Sequence, residues 1–220
     1  MPGRSYLLRK VSGSARRAFS STSAMAAPRE PIKLHGFTLS PPFRASAMTC
    51  EVLGIEYKTQ FIDVTSLEHR KPAYLKLNPL HSIPTMEDGD YILYDSHAIS
   101  AYLCNMYGKD NKWYPTDPRQ RGIVDQRLHF DCSVLGPSFK NMAIPLLFGK
   151  QIQPKMVEHV KESMQQLDKL LGDRKFIALD WPTIADCHCS STVISIQVSL
   201  ISISSNFPTT AKINICFCPY

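Results

Sequence analysis

Ile32-Lys33-Leu34-His35-Gly36-Phe37-Thr38-Leu39-Ser40-Pro41-Pro42-Phe43-Arg44-Ala45-Ser46-Ala47-Met48-Thr49-Cys50-Glu51-Val52-Leu53 is the stretch on which the fold turns. Ile32 to Phe37 reads as a short apolar strand, Thr38 to Pro42 as a turn, and Phe43 to Leu53 as a helix. Ser40 before a proline pair is a helix start, because serine can cap the free amides of the first turn and proline tolerates that turn. Gly54 closes the helix, and Tyr57 to Val64 reads as a second strand. Strand, helix and strand in this order predict a β-α-β unit.

Outward from it, a short helix around Pro72 to Leu77 precedes Asn78-Pro79-Leu80-His81-Ser82-Ile83-Pro84. Thr85-Met86-Glu87, the turn Asp88-Gly89-Asp90 and Tyr91-Ile92-Leu93-Tyr94 predict a hairpin. Ala98, Ile99, Tyr102, Leu103 and Met106 recur at helical spacing after Asp95-Ser96. The order β-α-β-α-β-β-α is that of an α/β domain of the thioredoxin kind. Gly108 to Pro118 is a polar, proline-bearing linker, and Arg119 to Phe148 and Pro154 to Leu171 read as long amphipathic helices without strand signal. Pro137 is expected to kink the first of them. The expected architecture is α/β plus all-α: a leader over 1–29, a thioredoxin-like domain over 30–107, a linker over 108–118, a helical domain over 119–195 and an atypical tail over 196–220.

The chain has 220 residues and a formal charge of +6. Residues 1–29 hold Arg4, Arg9, Lys10, Arg16, Arg17 and Arg29 without an acid, and setting these six aside leaves 19 basic residues against 19 acidic ones. A neutral body excludes a broad basic face for nucleic acid, and no run of about 18 uncharged apolar residues spans a bilayer. The leader, basic and rich in Ser and Ala, has the composition of a mitochondrial transit peptide. The alternative is a cytoplasmic protein that starts at Met25. Seven cysteines without regular spacing imply no disulfide framework. Cys187-His188-Cys189 and Cys216-Phe217-Cys218 are too tightly spaced for a usual zinc half-site, so no metal is expected.

Five stretches, in order and across both domains, resemble the soluble glutathione transferases, and among them the insect-type delta and epsilon classes. They are Leu39-Ser40-Pro41-Pro42-Phe43-Arg44-Ala45, Asn78-Pro79-Leu80-His81-Ser82-Ile83-Pro84, Asp95-Ser96-His97-Ala98-Ile99, Asp125-Gln126-Arg127-Leu128-His129-Phe130-Asp131 and Thr183-Ile184-Ala185-Asp186. The resemblance covers about Lys33 to Ser195. It implies an enzyme, in most members a homodimer, that uses glutathione as co-substrate and conjugates it to small hydrophobic electrophiles in detoxification of xenobiotics. Peroxidase, isomerase or dehydrohalogenase side activities would use the same site.

The chemistry can be read beside the resemblance. Glutathione attacks as a thiolate, and its thiol ionises near about 8.5. Holding it ionised near neutrality requires about two pH units, roughly 2.7 kcal/mol. One hydroxyl donating to sulfur contributes on the order of 1.5 to 3 kcal/mol, and a helix N-terminus adds some tenths. Ser40 is the candidate catalytic residue, a donor to the thiolate and not a nucleophile; the local alternative is an ordinary helix cap. A thiol–disulfide oxidoreductase needs a cysteine at this helix start, where this chain has Ser40-Pro41-Pro42-Phe43.

Ile83-Pro84 is placed where a cis proline would turn the chain and expose the Ile83 backbone, which in the family pairs with the cysteinyl part of glutathione. Asp95 and Ser96 head a helix and are expected to meet the γ-glutamyl amine and carboxylate. His69 and His81 match the histidines that the insect classes use near the glycyl end, and His97 follows the Asp-Ser pair where related chains often have Arg. Phe130, Leu135 and Phe139 are candidates for the electrophile wall, although their spacing suits core packing equally. Thr183-Ile184-Ala185-Asp186 reads as a structural capping box.

Two departures from the family stand out. Leu179-Asp180-Trp181-Pro182 replaces the common Gly-Asp before the capping box, and residues 187–220 carry only one charge, Lys212. Val193 to Ile203 alternates like a strand where relatives continue with charged helices, so a truncated helical domain is expected, in which Val193 and Ile194 are either covered by the new tail or left exposed. A non-catalytic carrier of hydrophobic ligands on the same fold, or an inactive truncated isoform, is the alternative function.

Overall fold

The computed structural model describes residues 30–203. The expected leader over 1–29 and the last 17 residues of the expected tail lie outside them. The first unit contains β1 (Ile32–Gly36), α1 (Pro41–Leu53), β2 (Tyr57–Phe61), a 3-10 turn (Glu68–Arg70), α2 (Pro72–Leu75), β3 (Thr85–Asp88), β4 (Tyr91–Tyr94) and α3 (Ser96–Tyr107). The sheet order is β2-β1-β3-β4. β1 runs parallel to β2, with Leu34 opposite Thr59. It runs antiparallel to β3, with Leu34 opposite Met86. This is the mixed sheet of a thioredoxin-like domain, with Ile32, Leu34 and Met86 fully buried.

β1 ends where α1 must come close. A Cβ on Gly36 would sit 2.5 Å from the Phe43 ring, so only glycine lets the chain turn from sheet to helix over that side chain. α1 ends in a left-handed Gly54, whose N–H bonds back to the Cys50 and Glu51 carbonyls. The expected short helix is α2, which starts at Pro72 but stops at Leu75 and is preceded by the 3-10 turn, and the expected second strand stops at Phe61.

The second unit is helical: α4 (Pro118–Phe130), a π-helical segment (Asp131–Leu135), α5 (Gly136–Leu147), α6 (Pro154–Leu171) and α7 (Ile184–Ile203). The single stretch expected over Arg119 to Phe148 is therefore interrupted next to Pro137, which has no N–H to give to the helical turn behind it. The interruption is the π-helical segment itself, a one-residue slip of the ladder just before that proline. Pro145 is the proline inside a helix.

The strand-like reading of Val193 to Ile203 is corrected, since α7 continues through Ile203. Along α7, buried hydroxyls bond back within the helix, from Thr192 to the His188 carbonyl (3.3 Å) and from Ser195 to the Ser191 carbonyl (3.1 Å). A helix buried over most of its first three turns needs no amphipathic period there, and local back-bonding lets serines enter it. Of the two outcomes left open for them, Val193 is covered, at only 2% exposed, and Ile194 is half-buried.

The acid's half of the expected capping box forms, while the Thr183 hydroxyl donates to Asp186 and leaves the Asp186 N–H to the Thr183 carbonyl. Asp186 accepts from the Thr183 N–H (2.8 Å) and hydroxyl (3.1 Å), and also from the Ile177 N–H (2.8 Å). The departure at Trp181 is put to use, because its indole N–H donates to the Lys112 carbonyl and ties the linker to the helical unit (3.0 Å). No helix among the described residues is long and apolar enough to cross a membrane.

Candidate active site

Ser40 closes the β1–α1 turn. Its N–H donates to the Phe37 carbonyl and its own carbonyl accepts from the Arg44 N–H, both at 3.0 Å. It occupies the N-cap position, yet its side chain makes no capping hydrogen bond. Pro41 and Pro42 supply no N–H, so only the Phe43 N–H is left for the Ser40 hydroxyl to cap, and it does not do so. The result is an uncommitted hydroxyl on a residue 7% exposed at the positive end of a 13-residue helix, placed to donate to an anion.

The Ile83–Pro84 bond is cis, as the sequence leads one to expect. The loop before it is held from inside. Asn78 Nδ2 donates to the Ser82 carbonyl (3.0 Å) and Thr85 Oγ1 (3.1 Å), and Tyr74 Oη donates to the Ser82 carbonyl (2.7 Å). Pro84 is buried and Ile83 half-buried, directly ahead of β3. His81 stands exposed on the same loop with a positive φ of 47°. The His69 ring lies 6.3 Å from it, so the structure brings the two predicted histidines together. Among the described residues His69 Nδ1 is buried without a partner. Burial, with Arg70 and His81 nearby, pushes the His69 pKa down.

Asp95 caps α3 from a positive φ of 77°, with Oδ1 accepting from the His97 N–H (2.9 Å) and the Ala98 N–H (3.1 Å). Ser96 is buried at the first position of the helix. His97, also expected at the ligand, turns its ring toward the helical unit. Its Nε2 pairs with Asp131 Oδ2 (3.0 Å), its Nδ1 lies 3.6 Å from Asp95 Oδ1, and its ring stacks on His188 at 4.1 Å. Its ring nitrogens thus face two carboxylates instead of an open ligand position.

Behind this pair Thr192 Oγ1 donates to Asp131 Oδ1 (2.8 Å), and His188 Nε2 meets Ser100 Oγ (3.0 Å). Burial works against a charged His97, but the hydrogen bond to Asp131 and the nearby Asp95 carboxylate outweigh it and hold the pKa up to about 9. The hydrogen bond from His97 in turn holds Asp95 down to about 2. His188, buried beside the charged His97, is pushed well down and stays neutral.

Two groups bring metal-ligating atoms within 4.8 Å of one another: Asp95, His97 and Cys132, and His97, Asp131 and His188. In the second, the two rings are within 22° of parallel, so their in-plane lone pairs do not converge on one ion. The His97–carboxylate pairs give this seam a proton as its cation.

Of the expected electrophile wall, Phe130 and Phe139 are half-buried on either side of the π-helical segment, whereas Leu135 is wholly enclosed in the core. Leu135 is therefore a packing residue, in line with the core reading that its spacing equally allowed. Residues that sequence reasoning left without a role are Arg44, Asp131, His188 and Thr192. Arg44 and Asp131 stand inside the motifs quoted above, but nothing in their spacing says that they meet α7 across the fold.

A family model described as Glutathione S-transferase, N-terminal domain matches residues 34–112. Glutathione S-transferase 1 of Manduca sexta is 36% identical over 177 residues, covering 79% of this chain and 81% of that protein. Among solved structures, a Bombyx mori glutathione transferase is 40% identical with a TM-score of 0.74, covering 78% of this chain and 80% of that one. An epsilon-class glutathione S-transferase of the housefly, Musca domestica, is 34% identical with a TM-score of 0.70, covering 80% and 88%.

Proposed function

The chain belongs to the glutathione S-transferases of the insect delta and epsilon type, and we propose that it conjugates glutathione to small hydrophobic electrophiles with Ser40 as the thiolate donor. The enzyme is a transferase with glutathione as co-substrate. The Ser40 hydroxyl, buried at the head of α1 and spared from capping, carries the reading of the site. Pro41 and Pro42 leave Phe43 as the first residue of α1 with an N–H, so the helix end offers little besides that hydroxyl and its dipole.

The remaining contacts follow from position. The Ile83 backbone, just ahead of β3, pairs with the cysteinyl part in the manner of an added strand. Asp95 takes the γ-glutamyl amine, and Ser96 with the first amides of α3 takes its carboxylate. His81, with His69 behind it, meets the glycyl carboxylate; the buried, unpartnered His69 Nδ1 supports a polar group arriving there. Half-buried Phe130 and Phe139 offer the apolar wall for the electrophile.

Homodimer formation is part of the proposal, as is mitochondrial targeting by residues 1–29, with a cytoplasmic protein starting at Met25 as the other outcome. The test of the function is conjugation of a model aryl halide by purified protein and by Ser40→Ala. Turnover should fall roughly a hundredfold, the scale of losing one donor to a reacting anion. Equal turnover in the two proteins would remove Ser40 from the chemistry.

A further inference from the structure

The turn that carries Ser40 is held on its outer side by one guanidinium. Thr38 and Leu39 are exposed, and the hydrogen bond from Ser40 to Phe37 closes the turn on itself without anchoring it to anything else. Arg44, one helical turn beyond Ser40, reaches back so that Nη1 donates to the Thr38 carbonyl at 2.9 Å. Its other terminal nitrogen, Nη2, donates to the Ser191 carbonyl at 2.7 Å and to Ser195 Oγ. Both of these acceptors belong to α7, and α7 answers with a bond from Ser191 Oγ to the Pro41 carbonyl at 2.9 Å. A planar guanidinium holds such bonds in a fixed fork, which a lysine cannot reproduce.

The same side chain is half-buried, and its hydrogen-bond acceptors are carbonyls and a hydroxyl. Among the described residues it forms no ion pair with a carboxylate. A desolvated positive charge without a counter-ion lowers the cost of an anion placed nearby. Burial also works against the charge itself, which an anion arriving in the site would relieve.

We propose that Arg44 is a positioning residue for the thiolate donor, clamping the Thr38–Ser40 turn to α7 and setting an unpaired positive charge behind it. The helical unit then governs how well Ser40 holds the ionised thiol, although none of its own side chains needs to touch the sulfur. The proposal rests on the reading of Ser40 as the donor.

The experiment is a double-mutant cycle on the full chain with Ser40→Ala, Arg44→Met and the double variant, with folding checked by circular dichroism. Arg44→Met should lower kcat about tenfold, leave the KM for glutathione within about threefold, and raise the pH midpoint of kcat/KM by about one unit. In the Ser40→Ala background the same change should cost less than about twofold, because the group it positions is gone. An equal loss in both backgrounds, or an unmoved pH midpoint, overturns the proposal. If Ser40→Ala alone leaves turnover intact, the donor reading fails first and separately. Should Arg44→Met not fold, Ser195→Ala removes one arm of the clamp and leaves the Ser191 carbonyl. A smaller shift of the pH midpoint in the same direction is then expected, and none at all overturns the proposal.

Discussion

His97 makes the stability of the fold depend on pH in a way that can be worked out in advance. Its folded pKa of about 9 stands above the ordinary value of 6.5. Each tenfold in proton affinity is worth about 1.4 kcal/mol, so the protonated ring contributes about 3 kcal/mol. Because the folded value is the higher one, this contribution is fully present below about pH 6.5 and is lost as pH rises through about 9. The groups facing the ring are Asp95 on its own element, Asp131 and Cys132 from the π-helical segment, and His188 from α7. His188 acts in the opposite direction: its folded pKa is lowered, so its contribution is present above about pH 6.5 and lost as pH falls below it. Stability should therefore be highest between these limits. Urea unfolding of the wild type and His97→Gln from pH 6 to 9.5 reads mainly the first term, because burial, the larger cause of the His188 shift, is common to both. The stability difference should shrink by about 3 kcal/mol across that range, a large part of a total of about 5 to 15 kcal/mol. A difference constant to within about 0.5 kcal/mol would refute the assignment of a charged His97 to the seam.

Ser96→Ala should weaken glutathione binding about tenfold and leave bound turnover within about twofold, since a contact made in ground and transition states alike appears in affinity. Isothermal titration beside steady-state kinetics checks it, and a pure turnover defect would contradict it. A fusion of residues 1–29 to a fluorescent protein should enter mitochondria, and a diffuse cytosolic signal would instead favour Met25 as the start. Gel filtration of the native protein should give the mass of a homodimer, and a monomer at micromolar concentration would count against that part of the proposal.

The first unit was legible because its elements carry local signals. Ser40-Pro41-Pro42 marks a helix start, Asp88-Gly89-Asp90 a hairpin turn and Gly54 a helix end, and each lies within two residues of an observed boundary. The start of α7 was marked by Thr183 to Asp186, but its second half was not legible, because from Val193 on the alternation of Ser with Ile and Val imitates a strand. Its serines are tolerated only because buried hydroxyls turn back to carbonyls of the same helix or, as at Ser191, reach the Pro41 carbonyl on α1. Local propensity cannot register a helix whose serines are enclosed in this way. The site divides similarly. Ser40, Ile83, Asp95 and Ser96 are announced by the turns and helix starts on which they sit. The partnership of His97 with Asp131 and His188, and that of Arg44 with Ser191 and Ser195, joins residues 34 to 151 positions apart. Such pairs exist only once the two units are docked.

The most direct test is a titration of the thiol of glutathione while it is bound to the protein, followed by the ultraviolet absorbance of the thiolate. If Ser40 holds the sulfur as an anion, the bound thiol should ionise about two pH units below its free value of about 8.5. In Ser40→Ala it should return most of the way to that value, with glutathione still bound. A bound thiol that ionises at the same low pH in both proteins would contradict the account and place the stabilising charge elsewhere in the site.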